Sequence, residues 1–116
     1  MDLKEFYIRV NGNYDDVMSR LMKEDRVKKY LGKFLDSAEY GKMIEAYENK
    51  DWPDLFLQSH SLKGMAANLS LTALFNAASN VCEEVRDKEP GGDIVALIDK
   101  IKSEYSLVTD AIKETV

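Results

Sequence analysis

The sequence predicts an all-α protein, and three observations lead there. Apolar residues recur at helical spacing along nearly the whole chain, and strand-like alternation is sustained nowhere. The strongest breakers, Gly12-Asn13, Asp51-Trp52-Pro53 and Pro90-Gly91-Gly92, fall between the apolar stripes. Together they outline an antiparallel four-helix bundle, roughly 24–49, 51–69, 71–89 and 93–114, with a short helical segment before it.

Each element follows from its own residues. In the first, Val27, Tyr30, Leu31 and Phe34 make one stripe and Tyr40, Met43, Ile44 and Tyr47 a second. A bend is expected between them, near Asp36-Ser37. The second helix begins after Lys50, with Trp52 beside Pro53 expected to pack its start. Ser70, between Leu69 and Leu71, suits the N-cap of the third helix, whose stripe is Leu71, Leu74, Ala78, Val81 and Val85. The last helix carries Ile94, Leu97, Ile98, Ile101, Tyr105, Val108 and Ile112.

Composition narrows the function. A chain of 116 residues with 45% apolar content fits one domain with a single core. Cys82 is the only cysteine, so no internal disulfide or cysteine zinc site is available, which fits a reducing, cytoplasmic setting. Cys82 lies beside the third stripe and is expected to be a partly buried, inert thiol. The N-terminal MDLKEFYIRVNG is charged almost from its first residue, so neither an export signal nor a membrane span is expected. Met1 and the full set of bundle helices fit a free-standing protein or a cleanly bounded domain. A net charge of −5 with no acid-free basic block argues against nucleic acid and for protein partners. A monomer is expected.

The chemistry centres on the only histidine, His60, in the stretch SHSLKGMAAN. At about 100° per residue, Leu55, Leu62, Ala66 and Leu69 lie roughly 180° to 240° from His60 and form the core face. Within about 60° of His60 lie Phe56, Leu57, Lys63, Gly64 and Ala67. This outward face carries one cation, two tiny residues and two apolar side chains. Glycine inside a helix costs about 1 kcal/mol relative to alanine, and Gly64 is explained by access: another protein surface can close on the imidazole there. Imidazole is a competent nucleophile near neutral pH. Lys63 supplies a point charge for a phosphoryl group on the ring, and Phe56 and Leu57 give a partner apolar surface to bury. Glu83 and Glu84 are expected to be solvated, and the sequon Asn68-Leu69-Ser70 carries no meaning in a cytosolic chain.

His60-Ser61-Leu62-Lys63-Gly64, followed by Ala66, Asn68, Leu69 and Leu74, resembles the signature of histidine-containing phosphotransfer (HPt) domains, H-x-L-K-G-S-A-x-N-L-G-x-x-x-L. The resemblance implies a four-helix bundle with an exposed mid-helix histidine. It makes His60 the phosphoacceptor through Nε2, Lys63 the support for the phosphoryl group and Gly64 the clearing for the partner; from their place on the outward face, Phe56, Leu57 and Ala67 are expected to be the docking surface. Three positions depart from the pattern. Met65 replaces a small residue, Ser70 a glycine, and Cys82 stands where the family places an acid. Met65, about 140° from His60, faces the core side.

The chain lacks a G-x-x-x-x-G-K-[ST] loop, a D-x-G-x-G stretch and an acid directly after His60, so it is not expected to take phosphate from ATP itself. The resemblance implies a transfer intermediate rather than an independent enzyme, exchanging phosphate with response-regulator receiver domains and served by a kinase such as a hybrid sensor histidine kinase. No cofactor of its own is expected, because the receiver would supply Mg²⁺. Two other readings stay open: a helical adaptor without phosphate chemistry, and a phosphoacceptor fragment of a larger histidine kinase.

Overall fold

Each predicted stripe falls on a helix, with most of its residues turned inward. The computed structural model describes residues 1–116 as seven helices and no strand: α1 (Leu3–Arg9), α2 (Tyr14–Leu21), α3 (Glu24–Leu35), α4 (Glu39–Glu48), α5 (Trp52–Asn68), α6 (Thr72–Glu84) and α7 (Ile94–Lys113). The expected bend near Asp36-Ser37 is a full break between α3 and α4. Asp36 caps α3, its N–H donating to the Lys33 carbonyl at 3.1 Å, while the N–H and hydroxyl of Ser37 both donate to the Phe34 carbonyl, at 3.1 and 2.6 Å. α3 and α4 thus share the place of one bundle helix, α4 packing on α5 and α3 reaching α7.

The remaining bundle helices follow by short connections, α5 packing on α6 and α6 on α7. The molecule measures 41 × 23 × 21 Å, the proportions of helices lying side by side. Leu31, Met43, Leu55, Leu62, Leu74, Ile98, Ile101 and Ile112 are fully buried between them. Each such side chain contributes about 1.5–3 kcal/mol through its removal from water. Truncating Leu62 to alanine would cost about 2–5 kcal/mol, because the cavity left behind adds to the lost burial. No helix is long and apolar enough to cross a membrane.

Several boundaries differ from the sequence reading. The N-terminal segment is two helices, capped by Asp2 and Asn13, whose carboxylate and side-chain amide oxygens accept the N–H groups of Glu5 and Asp16 at 2.9 Å. α6 stops at Glu84, short of Pro90, because Asp87 turns into the left-handed region at φ 55°. Asp tolerates that conformation better than most residues. Tyr30, expected in the core stripe, is 41% exposed. Cys82 is fully rather than partly buried. Glu84 is half-buried, and its Oε1 accepts the Gly91 N–H at 2.8 Å, closing the loop before α7.

Ser70 is not an N-cap. Leu71 occupies that position for α6 and has no side-chain cap bond. Ser70 instead ends α5 in the left-handed region at φ 54°. Its N–H donates to the Ala67 carbonyl at 3.1 Å, and the Leu71 N–H reaches back to the Ala66 carbonyl at 2.9 Å. This paired closure of a helix C-terminus favours glycine at the left-handed position, and the HPt pattern has glycine there. Serine brings a hydroxyl that is used: Ser70 Oγ donates to Asp16 Oδ2 at 2.6 Å and accepts from the Arg20 guanidinium at 2.8 Å. Arg20 also donates to the Ala67 and Asn68 carbonyls, the buried Tyr7 hydroxyl donates to the Leu69 carbonyl at 2.6 Å, and the Asn13 N–H donates to the Ser70 carbonyl at 2.9 Å. α1 and α2 therefore latch the end of the helix that carries His60.

Candidate functional site

α5 is built to hold its middle residues in fixed register. Asp51 accepts the Asp54 N–H at 3.2 Å at one end, and Pro53 sits in the first turn, where its missing N–H has no partner to lose. The latch closes the other end. Between them Leu55, Ser59, Leu62 and Ala66 are buried, and His60 is exposed near the midpoint. Ser59, which the wheel leaves on the core side, is accommodated by donating its hydroxyl to the Phe56 carbonyl at 3.1 Å.

Helical side chains lean toward the N-terminus of their helix, so His60 leans over Phe56 and away from Gly64. The two rings lie 5.9 Å apart between centroids and only 14° from parallel. On the opposite side, a Cβ placed on Gly64 would meet nothing within 4 Å. Packing therefore gives no reason for the glycine. Leu57 is 57% exposed and Ala67 is exposed. Lys63 is half-buried one turn beyond His60, with Nζ 5.6 Å from the Phe75 ring centroid on α6.

The structure brings Lys63, Gly64, Leu57 and Ala67 around His60 and packs Phe56 against Arg86. Phe56 is half-buried, and the Arg86 guanidinium lies 4.9 Å from its ring centroid. Arg86 is held by Glu83 through contacts of 2.9–3.2 Å to both carboxylate oxygens. That hydrogen bonding is the main reason the Glu83 carboxyl is lowered from its usual value, with the charges of Arg86, Lys63 and Lys88 adding to it. The same pairing raises the Arg86 guanidinium. Glu83 is exposed, as expected, but paired.

Phe75, Glu83 and Arg86 have no place in the sequence reading of the site. Glu83 and Arg86 are three apart, a spacing that pairs charges on a helix. That spacing alone does not say which side of α6 meets α5. Met65 is half-buried and lines a groove of about 500 Å³ with Arg20, Tyr30, Phe34 and Asn68. No three His, Cys, Asp or Glu side chains converge on a metal-sized site.

A family model described as Hpt domain matches residues 29–112, which include His60, its neighbours on α5 and all of α6. This is well over half of the chain. The chain belongs to the Hpt domain family. Neither a curated protein nor a solved structure matches it significantly. Hpt domains are phosphocarrier modules of two-component signalling that interact with response-regulator receivers and kinases. A histidine phosphotransfer role follows for this chain. The latch helices α1 and α2 lie outside the matched span of the Hpt domain.

Proposed function

We propose that His60 is the phosphoacceptor of a multistep phosphorelay, receiving a phosphoryl group from a receiver aspartate or a kinase and passing it to another receiver. An Nε2 lone pair attacks phosphorus. The P–O bond of the aspartyl phosphate breaks, its electron pair leaves on the carboxylate, and the cationic ring releases its Nδ1 proton to water. Return transfer reverses these steps. Lys63 supports the phosphoryl oxygens, while Leu57, Ala67 and the gap over Gly64 admit the receiver, which supplies Mg²⁺ and the catalytic groups. The chain is a carrier without kinase activity of its own, working as a cytoplasmic monomer with receivers and a hybrid sensor histidine kinase.

The observation that carries this reading is the exposed imidazole at mid-helix with an empty approach one turn away, inside the Hpt match. The test is incubation with a radiolabelled, phosphorylated receiver domain. Acid-labile, alkali-stable label is expected on the wild-type chain and none on His60→Gln, which should still bind the receiver. Label retained by His60→Gln would place the acceptor elsewhere.

A further inference from the structure

The imidazole of His60 does not stand alone on its face. It lies nearly parallel to the Phe56 ring, the Arg86 guanidinium covers that ring, and Glu83 grips the guanidinium through both carboxylate oxygens. Three elements contribute in order: α5 gives both rings, the turn after α6 gives Arg86, and α6 gives Glu83. An exposed histidine on a helix normally samples several rotamers. A neighbour one turn toward the N-terminus restrains it, because the side chain leans that way.

From this arrangement we infer that Phe56 and Arg86 are positioning residues for phosphotransfer: Phe56 is the wall that fixes the orientation of the His60 ring, and Arg86, anchored by Glu83, fixes Phe56. The inference rests on His60 being the phosphoacceptor. Offset parallel rings attract one another, and a guanidinium over an aromatic face adds a further attraction. Neither contact touches the phosphoryl group. Their effect is on the direction in which the lone pair points, and in-line attack is sensitive to orientation. The ring is thereby held from the Phe56 side and left open from the Gly64 side.

This assigns Phe56 a role that a docking residue does not have, and the two separate in kinetics. Single-turnover transfer from a phosphorylated receiver is measured across receiver concentrations. In parallel, the unphosphorylated chain is labelled on the histidine ring and its carbon and proton resonances are recorded. Phe56→Leu is expected to shift those resonances, shorten the ring's order on the fast timescale and slow transfer at saturating receiver about tenfold. The receiver concentration for half-maximal rate should stay unchanged. Phe56→Tyr, which keeps the ring, should restore both.

Arg86→Gln should move the same resonances less and slow transfer about two- to fivefold, with Arg86→Lys retaining most of the rate. Glu83→Gln, far from the ring itself, should resemble Arg86→Gln. If Phe56→Leu raised the half-maximal concentration and left the saturated rate intact, Phe56 would be a docking residue and the inference overturned. Unchanged His60 resonances in Arg86→Gln would overturn the part assigned to arginine. A wild-type chain that accepts no phosphate would sink the acceptor assignment instead, and the ring resonances would still report whether the stack holds His60.

Discussion

A Cβ added to Gly12 would lie 2.6 Å from the Tyr7 ring and 2.8 Å from the Ser70 carbonyl oxygen, whereas one added to Gly64 would meet nothing within 4 Å. The two glycines mark two regions that treat α5 oppositely. At its C-terminus, Tyr7, Asn13, Arg20 and Ser70 donate to the carbonyls that a helix end leaves open, and the Asp16 carboxylate holds Ser70 and Arg20 in place by accepting from both. Around His60, half a helix away, the outward face is left unfilled on one side and walled on the other. Anchoring is concentrated at the helix end, so the His60 face, where we propose that the receiver docks, can carry a glycine that weakens the helix.

The sharpest way to break this contrast is at Gly12. Gly12→Val forces atoms against a ring that is itself buried and a backbone carbonyl that is itself bonded, neither of which can yield cheaply. A loss of about 3 kcal/mol is expected, the upper end for overpacking, read as a lower denaturant midpoint. Tyr7→Phe removes the hydroxyl bonded to the Leu69 carbonyl and leaves that acceptor buried, for a loss of about 1–3 kcal/mol. Burial also raises the Tyr7 phenol well above its ordinary value. Its contribution to stability is whole below pH 10, the model-compound value, and declines as pH rises beyond it, because the unfolded chain ionises first. An alkaline unfolding series should show that decline in wild type and a shallower one in Tyr7→Phe, since Tyr14, Tyr40 and Tyr105 are raised as well.

On the other face the expected effects are kinetic. Lys63→Ala should slow phosphotransfer about tenfold without abolishing it, since a charge acting across a solvent-exposed gap contributes around 1 kcal/mol, and should leave the unfolding midpoint nearly unchanged. Complete loss of transfer would mean a larger role for Lys63. The smallest effect concerns acid. The Asp16 carboxyl is lowered by the Ser70 hydroxyl first and Arg20 second. The stabilisation from Asp16 is present above the ordinary value of 3.8 and is lost as pH falls through the lowered one. Asp16→Asn should flatten the acid limb of a stability profile with no change in transfer at neutral pH.

The bundle was legible because helical periodicity is dense: Leu55, Leu62, Ala66 and Leu69 land on the buried face, and His60 lands opposite. The latch was not legible, because its partners are about fifty residues apart, as with Asp16 and Ser70, and no local pattern reports such a pairing. Ser70 was misread for a related reason. A serine between two leucines suits an N-cap, and only the backbone shows that it ends the preceding helix in the left-handed region, where the HPt pattern has glycine. The site was half legible. Residues of α5 fall into place from their own spacing, but Arg86 and Phe75 arrive from α6 and its turn, and the register of the α5–α6 hairpin decides that Phe75 meets Lys63 and Arg86 meets Phe56.

Gly64→Gln tests the opposite treatment of the two regions most directly, with its unfolding midpoint and its single-turnover transfer from a phosphorylated receiver measured side by side. Glycine is the poorer helix former by roughly 1 kcal/mol and the space around Gly64 is open, so the midpoint should hold or rise. Transfer should fall at least about tenfold, because the new side chain stands where the receiver must close on His60. A wild-type rate in this variant, or a midpoint that drops as it does in Gly12→Val, would contradict the clearance assigned to Gly64.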